Sequence, residues 1–466
     1  MAQKYTRSVA TNMVIANMIG TGIFTSLGYQ VLSKDFGGIP DPFSILMIWL
    51  LGGIVSLCGA TVYGEVATRV NRSGGEYAFL SDIYHPILGF LSGWVSLFVG
   101  FSAAIASLAL ATGEYFLPIL NIPNDPLLQL GFLEITPSKL VGISVLIIVL
   151  LVQLRGVKWS GIFQNVMTYV KLILIATFLL IPFIFLGDYE ASGISFSPTE
   201  DSSSTIFSLA FAGSLVYVMF AYSGWNASTY IVGNMENPKK NLPFSLIVGT
   251  IVVTVIYILM NFVFMYVASF DELAGQVDLG NIVANKILGT KVGLVFSLVF
   301  SLALISGVNA MFIAAPRVAE QIGKDYTAFK ALGKQSKNGA PKNALFFIFV
   351  ISLLLVVFSS FQEIIQYIGI TLSMFSLLTV FGVFILRHRE KKSGEYQSHF
   401  VKSWGYPVTP IVFILVTLWM ISFFVFNDPM ILVWSLITLI PAVIIFYATQ
   451  NKTHTNDSVS VDDRDK

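Results

Sequence analysis

Two stretches of this chain combine small, polar and aromatic residues where an uninterrupted apolar helix is expected. IGTGIF, Ile19 to Phe24, lies inside an apolar run spanning 9–32, and FAYSGWN, Phe220 to Asn226, lies inside another spanning 205–231. Gly20, Thr21 and Gly22 are weaker helix formers than their neighbours. Taken alone, a glycine pair in a membrane helix favours close helix packing. The alternative is a break that frees backbone amides and carbonyls to hold a ligand in a polar cavity. The second interruption, centred on Ser223-Gly224, follows roughly 200 residues after the first, and paired interruptions in two halves of a chain point to a transport site. The N–H groups of Gly20, Thr21 and Gly22 would begin a half-helix whose positive end attracts an anion. Carbonyls closing the preceding half-helices, near Ile19 and Phe220, would attract a cation. An α-amino acid presents that pair of charges.

A third candidate is a single cation. Lys171 lies about eleven residues into an apolar span, near mid-depth, where a charge costs roughly 2.5–3.5 kcal/mol on insertion scales. It could supply a fixed positive charge beside the freed carbonyls of the first span. It could equally be a structural lysine satisfied by carbonyls. Glu65, Glu114 and Glu320 fall near span ends and read as interfacial, no acidic residue falls at mid-span, and His85, His388, His399 and His454 fall at span ends or in loops. A membrane metalloprotease would need His and carboxylate ligands within spans, and a Ser/His or Cys/His nucleophile pair would need a buried His. The expectation is therefore no enzyme, no metal and no cofactor.

The elements that must position these groups follow from composition. The chain has 466 residues, 55% hydrophobic and 11% charged, with a mean hydropathy of +0.78. Soluble domains carry about twice that charged fraction. Twelve windows of about 20 apolar residues are found, near 9–32, 44–67, 86–117, 139–155, 161–186, 205–231, 243–268, 293–318, 343–359, 364–386, 407–426 and 430–449. The fifth is the least distinct, because Lys171 interrupts it. With the N-terminus placed inside, 22 of the 27 basic residues fall in inner segments and four (Lys34, Lys139, Lys286, Lys291) in outer loops. That asymmetry predicts an even span number and both termini cytoplasmic. A net charge of +1 points to no nucleic-acid partner. The single cysteine, Cys58, excludes an intrachain disulfide.

Several motifs, in order along the chain, resemble the amino acid–polyamine–organocation (APC) permeases, especially the L-amino acid transporter branch and its bacterial relatives. IGTGIF is similar to that family's IGSGIF, with Thr21 in place of serine. YGEVATRVNRSGGEYAFL (Tyr63 to Leu80) resembles its span 2–3 motif, and QNVMTYVK (Gln164 to Lys171) its span 5 motif ending in lysine. FAYSGWN with ENPKKNLP (Glu236 to Pro243), GVNAMFIAAPR (Gly307 to Arg317), FILRHRE and WGYPVTPIVFI (Trp404 to Ile414) resemble further blocks.

The resemblance implies an all-α polytopic fold of the sodium/leucine-symporter type, with 12 transmembrane helices and spans 1 and 6 broken. Its expected parts are a first inverted repeat over 1–186 (spans 1–5), a second over 187–386 (spans 6–10), spans 11–12 over 387–450, and a disordered cytoplasmic tail over 451–466. By motif, Gly20, Thr21 and Gly22 would hold the substrate carboxylate, and Ile19, Phe220 and Ser223 would offer carbonyls to its amino group. The Phe220 ring would act as a gate and Lys171 would support span 1. Two departures stand out: Gly233 and Asn234 replace acidic residues that often follow the span 6 motif, and Phe264 stands where some relatives carry a tyrosine. No cysteine lies between spans 3 and 4, so no disulfide-linked heavy subunit is expected, and the protein reads as a monomer of the plasma membrane. The expected function is sodium-independent exchange of neutral L-amino acids. These pocket residues include no carboxylate to pair with a cationic side chain, which disfavours cationic amino acids and polyamines. The alternative is proton-coupled symport with Lys171 titrating, since desolvation lowers the pKa of a buried lysine.

Overall fold

The computed structural model describes residues 4–31, 38–70, 72–130, 133–184, 192–206, 208–276, 279–358, 361–393, 401–427 and 430–450; the expected tail over 451–466 lies outside them. The first apolar run is two helices, α1 (Arg7–Met18) and α2 (Gly22–Val31), and is followed by α3 (Pro42–Val70) and the short α4 (Glu76–Ile83). The third run comprises α5 (Pro86–Val95), a π-helical turn at Ser96–Phe101 and α6 (Ser102–Leu120). A small antiparallel hairpin, β1 (Leu128–Leu130) with β2 (Leu133–Ile135), pairs Leu128 with Ile135 and leads to α7 (Pro137–Leu154) and α8 (Val157–Ile184). After α9 (Ser202–Ile206), the sixth run is α10 (Leu209–Tyr222) and a 3₁₀ segment, Ala227–Asn234. Then come α11 (Pro238–Val267), the short α12 (Phe270–Leu273) and α13 (Leu279–Leu288), and α14 (Thr290–Asp325). The chain closes with α15 (Lys342–Phe358), α16 (Phe361–Ser393), α17 (Val408–Asn427) and α18 (Met430–Gln450).

Helix ends follow local chemistry. Thr6, Thr136 and Ser208 cap α1, α7 and α10 by accepting the N–H of Val9, Lys139 and Phe211, each three residues on. Between α6 and α7, Gly113 and Gly142 allow backbone-to-backbone contact. A Cβ at Gly113 would come 2.3 Å from the Ser138 carbonyl oxygen, and one at Gly142 would come 2.8 Å from that of Ala109.

Among the described residues, seven helices are long and apolar enough to cross a membrane, and three shorter ones are apolar. The side-chain distribution on α8 has the polarity expected in lipid. Ser160, Gln164, Thr168 and Lys171 are buried at helical spacing, while Ile162, Val166, Ile173 and Leu180 are 45–65% exposed. Lys171, which made this run the least distinct in sequence, therefore sits on the inward face of one continuous helix.

Two of the three acids read as interfacial are placed otherwise. Glu65 and Glu320 are fully buried, whereas Glu114 is exposed. Glu65 accepts from Arg69 at 2.8 Å, from Arg387 at 2.7 Å and from the Ser403 N–H at 2.8 Å, which joins α3 to α16 and to the segment before α17. Glu320 pairs with Arg317 at 2.8 Å. Hydropathy locates a residue along a span but not around it: both acids face inward, Glu320 toward Arg317 on its own helix and Glu65 toward Arg69 nearby and Arg387 from distant sequence. Removing one partner of such a network leaves buried charge uncompensated. Glu65→Ala should cost about 3–5 kcal/mol of stability, read as a lower unfolding temperature of the detergent-solubilised protein. An unchanged midpoint would show that Glu65 is not a cross-link.

Candidate functional site: two facing helix breaks around a cavity

The interruptions foreseen in IGTGIF and FAYSGWN are present and touch one another. α1 ends at Ile19, whose backbone turns to ψ 84°, and α2 restarts at Gly22. The Gly20 N–H donates to the Met18 carbonyl at 2.9 Å, and the Phe24 N–H to that of Thr21 at 3.0 Å. The first N–H groups of α2 therefore have no acceptor within the helix. α10 ends at Tyr222, and Gly224 adopts a φ of +95°, which a side chain would strain. A Cβ at Gly22 would come 2.8 Å from the Ala221 Cα, and one at Gly224 would come 2.9 Å from the Asn17 Cβ. The small residues serve both readings weighed from sequence: they open the helices, and they let the openings meet.

Three carbonyls at the breaks, those of Met18, Ile19 and Ala221, have a donor brought by another helix. Lys171, fully buried on α8, donates from Nζ to the Ile19 carbonyl at 2.8 Å. No ion pair involves it among the described residues. Its stripe continues through Thr168 and Gln164 to Ser306 and Asn309 of α14, with Asn309 donating to Gln164 at 2.7 Å. Tyr257 of α11 reaches both breaks: its hydroxyl lies against the Met18 carbonyl and 2.8 Å from that of Ala221, so one proton serves two helix ends. Sequence reading missed Tyr257 and looked for a span 7 hydroxyl at position 264. There Phe264 packs edge-on to Phe178, with ring centroids 5.9 Å apart. At the other departure, the Gly233 N–H donates to Ser73 at 2.8 Å and the Asn234 carbonyl accepts from Tyr5 at 2.7 Å.

Between the breaks lies a cavity of about 140 Å³, room for one small solute or several waters at about 30 Å³ each. Gly20, Thr21, Gly22, Phe220 and Ser223 line it together. Ile19 does not; it is buried behind them with its carbonyl turned to Lys171. The Phe220 carbonyl also accepts the Ser223 N–H at 3.0 Å. Opposite the breaks, the π-helical turn widens the third run and brings Ser96, Gly100 and Phe101 to the wall.

The cavity also contains a carboxylate, contrary to expectation. Glu76 lines it and is 2% exposed. Its Oε1 accepts from the Tyr63 hydroxyl at 2.5 Å, the Ser376 hydroxyl at 2.7 Å and the Asn226 amide at 3.2 Å. Burial pushes this carboxyl above the usual range, and the three donors oppose that shift. The residue lies outside the apolar runs, at the start of α4, so a census of acids within spans passed over it. The signal was the SGGEY run: Gly74 and Gly75 both take positive φ, and a Cβ at Gly75 would meet the Tyr230 ring at 2.4 Å. The turn thereby brings α4 against the 3₁₀ segment.

The family model described as "Amino acid permease" matches residues 7–448, nearly the whole chain. The chain belongs to the amino acid permease family. It is a transporter, not an enzyme, and an integral membrane protein of the APC superfamily. It is 26% identical over 459 residues to the serine/threonine exchanger SteT of Bacillus subtilis, covering 95% of this permease and 96% of that relative. It is 27% identical to the mouse b(0,+)-type amino acid transporter 1, covering 90% of this chain and 81% of the relative. With the mouse large neutral amino acids transporter small subunit 2 it shares 25% identity, covering 82% and 69%. In the permease, Tyr257→Phe would strand the Ala221 carbonyl, at about 1–3 kcal/mol for a buried unpaired group, and would leave the Met18 carbonyl with the Gly20 N–H alone. The expected result is a lower unfolding temperature and weaker substrate binding in a detergent-phase binding assay. Unaltered binding would remove Tyr257 from the site.

Proposed function

We propose that this permease is a sodium-independent exchanger of neutral L-amino acids working by alternating access. The observation that carries the reading is the joint cavity of the two breaks, with a half-helix N-terminus at Gly20–Gly22 for the substrate carboxylate. The substrate amino group is assigned to the Phe220–Ser223 end, with the Phe220 ring as the gate. Ile19 contributes through its carbonyl. Lys171 holds that carbonyl with a protein cation, so the break keeps its shape without a metal ion. Exchange is supported by a relative whose name is serine/threonine exchanger.

The reading extends to the whole chain. Spans 1–5 (1–186) and 6–10 (187–386) are assigned as inverted repeats of a twelve-span, sodium/leucine-symporter-type fold, followed by spans 11–12 over 387–450. The helix interruptions in corresponding positions of the two halves support that assignment. Both termini are assigned to the cytoplasm and the protein to the plasma membrane, from the distribution of Lys and Arg. Cys58, the sole cysteine, is buried in α3, which supports a permease with no disulfide-linked subunit.

Alanine counterflow in proteoliposomes tests the exchange. Influx should require internal amino acid and ignore sodium and an imposed proton gradient. Accumulation driven by an acid exterior alone would replace exchange with proton symport, a reading that the buried Lys171 without an ion pair also favours. Lys171→Ala should lower turnover at least about 10-fold, equivalent to about 1.4 kcal/mol of barrier, with a much smaller change in binding. Unchanged turnover would end the support role.

A further inference from the structure

Arg155, Lys158, Lys337 and Lys342 come from two distant parts of the chain and are all exposed. Contacts between the corner joining α7 to α8 and the segment before α15 bring them to one end of the bundle. The Asn338 side-chain amide donates to the Leu154 carbonyl at 3.0 Å, and the Val157 N–H donates to the Asn338 carbonyl at 3.4 Å. Arg155 and Lys158 flank that corner, Lys337 adjoins Asn338, and Lys342 opens α15. None of the four forms an ion pair among the described residues, whereas Arg69, Arg72, Arg317 and Arg387 each face a carboxylate. The sequence has no acid at all between 137 and 184 or between 326 and 358. A Lys/Arg bias between the two sides orients a membrane protein, but it does not require separate loops to gather their cations away from every acid.

The patch is continuous with the lipid-facing wall. On α8, Trp159, Ile162, Val166, Tyr169 and Ile173 are 45–65% exposed at steps of three and four residues, which is one helix face. On α15, Phe346, Val350, Leu354 and Phe358 are 48–53% exposed at steps of four. α7 packs against both helices and exposes Ile147, Ile148 and Leu151. Lys158 directly precedes the α8 stripe, and Lys342 precedes the α15 stripe by one turn. The cations therefore stand where acyl chains give way to headgroups, and Trp159 is the amphipathic ring favoured at that depth. Basic clusters beside membrane helices attract anionic lipid headgroups.

We propose that this basic corner binds the phosphodiester headgroup of an anionic phospholipid, whose acyl chains lie along the exposed faces of α7, α8 and α15. The occupant is a lipid rather than free phosphate, because the charges terminate apolar stripes that only acyl chains cover. The site is separate from the cavity and independent of which amino acid is exchanged. Since α8 also carries Lys171, a lipid held at its first turn steadies the helix that supports the Ile19 carbonyl.

Native mass spectrometry of the purified full-length permease, titrated with dioleoyl phosphatidylglycerol or dioleoyl phosphatidylcholine, reads the ratio of their binding constants. In the wild type phosphatidylglycerol should bind at least about 10-fold more tightly. The triple variant Arg155→Gln, Lys158→Gln, Lys337→Gln should bring the two lipids within about twofold of each other. The variant Lys239→Gln, Lys240→Gln, Lys391→Gln removes the same charge from other exposed positions and should keep the wild-type ratio to within about twofold. Equal binding of both lipids by the wild type, or an equal loss in both triple variants, would overturn the proposal. Inorganic phosphate that protects the wild type against heat as well as phosphatidylglycerol does would assign the corner to a soluble anion and overturn the lipid reading. Should the first triple variant not fold, Lys158→Gln and Lys337→Gln decide singly. Each should lower the ratio by about twofold or more, and an unchanged ratio in both would count against the site.

Discussion

The architecture depends on one constraint: a backbone carbonyl released from a helix inside an apolar medium must find a donor. In lipid there is no water to supply it, and an unpaired buried group costs several kcal/mol. The permease meets this constraint with side chains from helices other than the broken ones. Lys171 of α8 serves Ile19, and Tyr257 of α11 serves Met18 and Ala221. Because each donor belongs to a different element, the geometry of the breaks is set by how α8 and α11 pack around α1. The site is thus a property of the bundle, although its motif is local.

The same constraint explains the polarity of the helices around the breaks. α8 turns Gln164, Thr168 and Lys171 inward and Ile162, Ile173 and Ile184 outward, the reverse of a helix in a water-soluble protein. The stripe is continuous from Gln153 on α7 through Asn309 on α14 to Gln164 on α8, with bonds of 2.7 and 2.8 Å. Each amide supplies both donor and acceptor, so the chain passes polarity between helices without carrying charge. Lys171 is then the one full charge on that path among the described residues, and it ends on a carbonyl rather than on a carboxylate.

Much of this was legible in the sequence, and the divide between legible and hidden is physical. Apolar windows located the helices because burial in lipid demands length and hydrophobicity along the chain. The breaks at Gly20–Gly22 and Ser223–Gly224 were visible because low helix propensity inside a long apolar run is a local conflict. Lys171 was visible because charge in such a run is rare. Tyr257 was not visible, since a tyrosine in an apolar span violates no local rule and its partners lie 239 and 36 residues away in sequence. Glu65 and Glu320 were seen but their burial was not, because it is set by which way a helix faces. Glu76 was hidden for a third reason: it belongs to a turn between spans, and only the fold brings that turn to the cavity.

That placement of Glu76 bears on how the site could distinguish its conformations. Its three donors come from α3, from the residue preceding the 3₁₀ segment after the second break, and from α16. A ligand changes a conformational equilibrium only by the difference in its affinity for the two states. The N-terminus of α2 and the Phe220–Ser223 end both lie at the breaks, so a ligand held there responds to movement of α1 and α10 alone. Glu76 is tied to elements outside the breaks, so a group bound to it also responds to their separation from α16. Any motion that carries Asn226 away from Ser376 must give up a hydrogen bond to the same carboxylate oxygen. The carboxylate therefore couples what the cavity holds to whether its walls stay together.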